Sequence, residues 1–443
     1  MGRSALDMDK LALDLILNDN KEEKEKLAKK IKDIAYKNGV YLSSINEFYL
    51  ARGKGKTPVN FTVPAMNLRV MTYDLAKAVF RVAKKNNAGC FIFEIAKSEM
   101  AYTNQPAVEY TAVCLAAAIK EGWQGPVFIQ GDHFQANAKA YKENPEKELQ
   151  NLKDLIVHAI EGGFYNIDID SSTLVDLSKP NIKKQQELNY EVCAKLTNFI
   201  RQNQPRGVEV SVGGEIGEVG HQNSTPEDLN AFMEGYNECL RKGYCGISKI
   251  SIQTGTSHGG VVLPDGTIAK VKLDFETLKN LSKIAREKYG LAGAVQHGAS
   301  TLPSEAFGKF PEVETAEVHL ATEFQNMVYE SKHFPKELKD RMYDWIRKNL
   351  ANEKKQDQTE EQFIYSSRKK ALGPFKKDIM SLPVETRNGI AKELEVKFEF
   401  LFEKLNVKNT RDLVSKIVTL KRVITRKGAG SAKHVEISGE GAD

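Results

Sequence analysis

The sequence predicts an α/β fold, a TIM (β/α)8 barrel carrying an N-terminal helical lead and a C-terminal helical extension. Three observations predict it. Eight short apolar runs rich in β-branched residues recur along the chain. Longer amphipathic segments separate them, which is the signature of βαβ units and a parallel sheet. The runs end in residues able to do chemistry, as strands of such a barrel do at their C-terminal ends. An open doubly wound sheet is the competitor, but its GxGxxG phosphate fingerprint after the first strand is missing.

In order, residues 1–57 form the lead, with a charged helix at Lys21–Lys37 and a Gly/Lys loop at Ala51–Lys56. The strands of the barrel, residues 58–335, are expected at Asn60–Ala65, Gly89–Ile95, Pro126–Gly131, Tyr165–Ile169, Val208–Val212, Ile247–Ile252, Gly293–Gln296 and Thr315–Leu320. Helical spacing is clearest at Tyr73–Asn86, Ala107–Glu121, Glu148–Glu161, Lys183–Gln202, Pro226–Lys242 and Phe275–Tyr289. From residue 336 the rhythm stops. Helices are expected at Lys336–Leu350, Glu360–Ser367, Glu385–Leu405 and Thr410–Arg426, with a mobile tail at 427–443. The stripe Leu394, Phe398, Leu401, Leu405 reads as packing core.

Composition excludes several classes. The 64 Lys+Arg against 59 Asp+Glu leave +5 over 443 residues, too nearly neutral for a nucleic-acid footprint. No apolar run reaches the roughly 18 residues a membrane helix needs. Asp7, Asp9, Lys10 and Asp14 interrupt the leucines of the start, unlike a secretory signal. Five scattered cysteines without CxxC spacing read as reduced thiols, and a cytoplasmic protein is predicted.

Each strand end was inspected for reactive groups. Strand one runs into Asn67, strand two meets Glu94 and Lys97, and strand three ends in Asp132-His133. Strand four ends in Asp168 and Asp170, with Asp176 following; strand five runs into Glu215. Strand six runs into His258, strand seven into His297, and strand eight carries His319. Four of the eight histidines thus fall on strand ends. Three imidazoles converging on one barrel mouth suit Zn²⁺, which accepts three protein nitrogens and leaves a position for substrate oxygen. Glu215 and Asp176 are candidate alternate or supporting ligands. The small-residue loops Gly255–Gly260 and His297–Thr301 suit phosphate, because loops of this kind expose backbone N–H groups.

Taken together, residues 58–330 resemble the class II, metal-dependent fructose-bisphosphate aldolases. Ordered motifs carry the resemblance: Pro64-Ala65-Met66-Asn67, Gly131-Asp132-His133, Ser171–Ser178, Gly214–Gly220, Thr256-Ser257-His258-Gly259 and Gln296–Ser300. The resemblance implies that His133, His258 and His297 hold one catalytic Zn²⁺, with Glu215 and Asp176 at or behind the metal. It implies that Asp132 exchanges the proton of the C4 oxygen, and that Asn67, Gly259, Gly298, Ser300, His319 and Thr322 contact substrate. A second metal or a monovalent cation is left open. Three departures stand out. His319 and Ala321 occupy positions where the family has Asn and Asp. Thr301 closes the segment His297–Thr301, where the family has Gly. No Glu stands at the place of the proton-abstracting base after Gly220.

The expected function is reversible C3–C4 cleavage of a ketose (bis)phosphate such as fructose 1,6-bisphosphate, through a metal-stabilised enediolate. The alternatives are a metal-dependent epimerase of a ketose phosphate or keto sugar acid on the same scaffold, and a non-catalytic subunit of an aldolase complex. The expected partner is a small sugar phosphate, with no nucleic acid and no membrane. A homo-oligomer, dimer or tetramer, acting in glycolysis or wider carbohydrate metabolism, completes the expectation. Arg368, Lys369, Lys370 and Lys376 are candidates for a second phosphate contact, and the C-terminal helices for an interface or a lid.

Overall fold

Nine strands form in this computed structural model, which describes residues 7–217, 222–255, 263 and 273–423. They are β1 (Val40–Ser43), β2 (Val63–Asn67), β3 (Ile92–Ala96), β4 (Gly125–Gln135), β5 (Asn166–Asp170), β6 (Ser211–Glu215), β7 (Lys249–Ile252), β8 (Ala294–Gln296) and β9 (Glu317–Leu320). All pairings are parallel. The order β4-β3-β2-β9-β8-β7-β6-β5 closes through a β4–β5 pairing, giving the eight-stranded barrel. Strands buried on both faces read as continuous apolar runs, which is why their positions are legible.

β1 is the element the lead was not expected to contain. It pairs with the first half of β4, from Val40↔Gly125 to Ser43↔Phe128. The second half of β4 pairs with β3 and β5. That double duty explains the eleven residues of β4.

The helices follow from their caps. Phe275–Tyr289 starts where the Asp274 carboxylate accepts from the Glu276 and Thr277 amides and ends at left-handed Gly290. Pro226–Cys239 opens on a Thr225/Asp228 capping box. Two expected helices differ. Lys183–Gln202 is split into Ile182–Gln185 and Glu187–Asn203, and the Gln185 carbonyl there accepts from the Asp176 amide at 3.0 Å. The last helix runs only Arg411–Ile417, because Val418 is extended and the Thr419 amide donates to Glu47 at 2.7 Å. Residues 427–443, expected to be mobile, lie outside the described residues.

Leu394, Phe398 and Leu401 are fully buried, as expected of a packing stripe. Their helix, Val384–Lys404, lies against the outer barrel helix Thr72–Lys85, where Arg387 pairs with Asp74 at 2.8 Å. The segment after it crosses the N-terminal rim. The Thr62 amide donates to Leu405 O, and the Gly89 amide to Thr410 Oγ1. Among the described residues no helix is long and apolar enough to cross a membrane. The five cysteines are free thiols, three of them buried.

Arg52, from the helix Asn46–Gly53, ties this rim together. It is fully buried and donates to the carbonyls of Ala292 (3.1 Å), Phe61 (2.8 Å), Val59 (3.0 Å), Glu314 (3.3 Å) and Thr315 (3.2 Å). Burial lowers its pKa to about 10. Arg52→Met keeps the stem and strands those carbonyls, so a loss of about 3 kcal/mol is expected in urea unfolding. A loss under about 1 kcal/mol would mean that water replaces the guanidinium.

Candidate active site

The barrel interior is polar from floor to mouth, and period-two alternation sorts it into two layers. The lower layer holds Glu94, Gln130, Asp168, Lys249 and Glu317, all within 6% of full burial. The Lys249 ammonium sits at its centre, 2.8 Å from Gln130 Oε1, 2.9 Å from Asp168 Oδ2 and 2.5 Å from Glu317 Oε1. Tyr49 of the lead closes the layer from below with a hydrogen bond to Glu317. Glycine is required at 213 on β6, because a Cβ there would lie 2.3 Å from Asp168 Oδ1. Burial pushes the Asp168 carboxyl up to about 6, although Lys249 partly offsets this. Glu317 shifts the opposite way: burial would raise it, but Lys249 and His319 together hold it well below the usual carboxylate range.

The upper layer holds Asp132, His133, Asp170, Glu215, His297 and His319. Consecutive residues of a regular strand point to opposite faces, yet Asp132 and His133 both reach this layer. The cause is an irregularity in β4: its register against β5 shifts between Gly131 and Phe134, and His133 takes φ 41°. His133 Nδ1 lies 3.1 Å from Asp170 Oδ2, which fixes the ring, and its Nε2 lies 3.9 Å from Asp132 Oδ1. Asp170 is itself held by Gln135 (2.6 Å) and Ser172 (2.7 Å). His297 stacks between its neighbours, 4.3 Å from the His133 ring and 4.1 Å from the His319 ring. Its Nε2 lies 3.0 Å from Ser251 Oγ and 3.5 Å from Glu215 Oε2. Burial disfavours charge on His133, but Asp132 and Asp170 outweigh it and hold its pKa well above the usual value. Burial would raise Asp132, and His133 and His319 reverse that, holding it well below its usual value.

Ligand atoms of Asp132, His133 and His297 lie within 4.8 Å of one another. Two imidazoles and a carboxylate at that spacing, with His133 oriented by a carboxylate, fit a borderline-soft divalent ion. Glu215 Oε2 lies 3.5 Å from His297 Nε2. His258 and Gly259 lie outside the described residues.

The remaining sequence candidates divide. Asn67 is buried at the end of β2, where its Nδ2 donates to Glu99 and its Oδ1 has no hydrogen-bond partner among the described residues. Gly298 makes the left-handed turn after β8 (φ 65°). Ser300 Oγ accepts from the Ala321 amide at 2.7 Å, and Thr322 opens the helix Thr322–Glu330. His319 is buried, with both ring nitrogens against carboxylates. Asp176 is not brought to the cluster: it is exposed and accepts from the Ser178 hydroxyl (2.6 Å) and amide (3.0 Å). Asp170 stands behind His133 instead. The basic C-terminal candidates are engaged elsewhere: Arg368 with Asn326, Lys370 with Glu353, Lys376 with Glu109, and Lys369 over the Tyr102 ring. Lys249 and Glu317 were missed by inspecting strand ends alone. The available signal was a charge two residues before a strand-end polar residue in an otherwise apolar run: Lys249 before Ser251, and Glu317 before His319.

The profile of the family described as "Fructose-bisphosphate aldolase class-II" matches residues 57–371. No curated protein gives a significant sequence match. Solved structures similar to the chain include a probable tagatose 6 phosphate kinase from Sinorhizobium meliloti 1021 (14% identity, 80% of this chain and 98% of that one, TM-score 0.54). Two others are a fructose-bisphosphate aldolase from Campylobacter jejuni (19%, 84% and 97%, TM-score 0.47) and a putative fructose-1,6-biphosphate aldolase from Coccidioides immitis (16%, 82% and 97%, TM-score 0.47). At 14% identity the likeness to the first of these concerns the fold alone.

Proposed function

Because the chain belongs to the class-II fructose-bisphosphate aldolase family, we propose that it is a zinc-dependent lyase that reversibly cleaves the C3–C4 bond of a ketose (bis)phosphate. The observation that carries this reading is Asp132 beside His133 and His297 at the barrel mouth, with donor atoms within 4.8 Å of one another. His133 and His297, with His258 from outside the described residues, would hold the ion, and Glu215 would share or tune it. When bound, a divalent ion supplies Lewis-acid polarisation of the substrate ketone. Asp132 takes the C4 hydroxyl proton in cleavage and returns it in condensation. Asp170 fixes the His133 ring. Asn67, Gly298, Ser300 and Thr322, with Gly259, are the proposed substrate contacts; Gly298 shapes the loop after β8 that would offer backbone N–H groups to phosphate. The reading includes a cytoplasmic homo-oligomer working in carbohydrate metabolism, with catalysis confined to residues 58–335.

One observation favours a second reading, an epimerase on the same scaffold. His319 is held among carboxylates at a position where the resemblance expects a substrate-contacting Asn. Fructose 1,6-bisphosphate and its C3 and C4 epimers separate the two. Triose products are expected, abolished by a chelator and regained with Zn²⁺, Mn²⁺ or Co²⁺. Interconversion of epimers without triose would establish the second reading, and no metal-dependent reaction with any of them would refute both.

A further inference from the structure

Both ring nitrogens of His319 face buried carboxylates. Its Nε2 lies 2.7 Å from Glu317 Oε1, and its Nδ1 lies 3.0 Å from Glu94 Oε2 and 3.2 Å from Asp132 Oδ1. The Nδ1 contacts are at ion-pair distance, off the line of a straight hydrogen bond. The ring is 5% exposed and packs on His297, so swinging toward the mouth would leave buried carboxylates without their donor.

What His319 does instead follows from its neighbours. Glu317 has its carboxylate fixed by Lys249 (2.5 Å), by Gln130 Nε2 (2.9 Å) and by Tyr49. Lys249 is pinned on its other side by Asp168 at 2.9 Å. Glu94 is anchored by Gln130 Nε2 at 3.0 Å. Asp132 is less constrained: among the described residues its carboxylate also meets His133, with Nε2 3.9 Å from Oδ1, and a ligand atom of His297 within 4.8 Å. A continuous polar chain therefore rises from the barrel floor to the mouth, in the order Lys249, Glu317, His319, Asp132. The lower members are locked from several sides, and His319 transmits that rigidity to the carboxylate at the top.

We propose that His319 is a positioning residue, held by Glu317 and through it by Lys249, that orients the Asp132 carboxylate for proton exchange at the C4 oxygen and does not contact substrate. This rests on the aldolase reading above. In cleavage the C3–C4 bond breaks with its electron pair kept on C3, the C4–O bond becomes a carbonyl, and the hydroxyl proton passes to Asp132. Exchange of a carbon-bound proton of dihydroxyacetone phosphate with solvent involves no C4 oxygen. Disturbing the relay therefore slows cleavage and spares that exchange.

The experiment measures both reactions, with metal content, in wild type, His319→Ala and His319→Asn. Cleavage is followed with whichever ketose phosphate of the panel the wild type cleaves fastest, and exchange by proton NMR of dihydroxyacetone phosphate in D2O. For His319→Ala, kcat for cleavage is expected to fall about 100-fold, with KM and the exchange rate within about threefold. Added imidazole is expected to recover about tenfold by refilling the cavity, and His319→Asn, which keeps an N–H near the Nδ1 position, to stay within about tenfold of wild type. The Asn variant also preserves the test if the Ala variant does not fold. A rise in KM with kcat unchanged would make His319 a substrate contact and overturn the proposal. So would equal loss of cleavage and exchange in both variants, loss of metal, or unchanged cleavage. A wild type that neither cleaves nor exchanges would fail the aldolase reading itself, and this proposal with it.

Discussion

Lys249→Met is expected to cost about 3–5 kcal/mol of folding stability at neutral pH. The Met side chain fills much the same volume, so the loss is electrostatic. Lys249 is 1% exposed and neutralises Asp168 and Glu317, both of them buried. Glu317 is held below the usual range, burial notwithstanding, by Lys249 and His319. A depressed carboxyl contributes stability above its unfolded pKa and loses it as pH falls through the folded value. Asp168, raised to about 6, has the opposite sign and favours the folded state more at low pH. Without the ammonium both carboxyls move upward, so the variant should recover more on acidification than the wild type, which gains only through Asp168. Urea melts at neutral pH and at about pH 5 check this, and the gap should narrow at the lower pH. A gap under about 1 kcal/mol at neutral pH would show that the two carboxylates are satisfied without Lys249.

Asp132→Asn is expected to reduce kcat for ketose phosphate cleavage by about 10²–10⁴-fold, the usual value of a positioned acid–base group, with metal content unchanged. Asn keeps the size and one acceptor of the buried carboxylate but cannot take up a proton. Steady-state kinetics with metal analysis by mass spectrometry decide it. Activity within about tenfold of wild type would remove Asp132 from proton transfer. Loss of the metal would make it a ligand, consistent with its place beside the His133 and His297 donor atoms.

How much of this could be read beforehand depended on the physical origin of each signal. The eight barrel strands were legible because strands buried on both faces carry continuous apolar runs. Three of their starts were placed three residues early, at Asn60, Gly89 and Val208 against Val63, Ile92 and Ser211. Rim residues share the apolar character of the strand but bond elsewhere, as the Thr62 amide does to Leu405 O. β1 was hidden: four residues after a charged helix carry no period, and their partner lies in Gly125–Phe128. At the site, the strand-end rule reached Asp132, His133, Glu215, His297 and His319. It gave His319 as a substrate contact; one-dimensional spacing does not show the Glu94 and Glu317 carboxylates that meet its ring nitrogens. It put Asp176 near the metal, whereas the turn through Ser178 keeps that carboxylate in solvent.

The crossing of the N-terminal rim by residues 405–411 bears on how the barrel is assembled. The Gly89 amide finds its acceptor 321 residues later, at Thr410, and Arg411 reaches back 287 residues to the carbonyl of Gln124. Ordering so long a loop costs entropy before any contact repays it, and folds built on such separations form slowly. A nascent chain that has released all eight barrel strands still has the starts of β2 and β3 unlatched. Synthesis of the last helix therefore completes the rim on which the first strands depend, and the barrel is finished from its far end in time as well as in space.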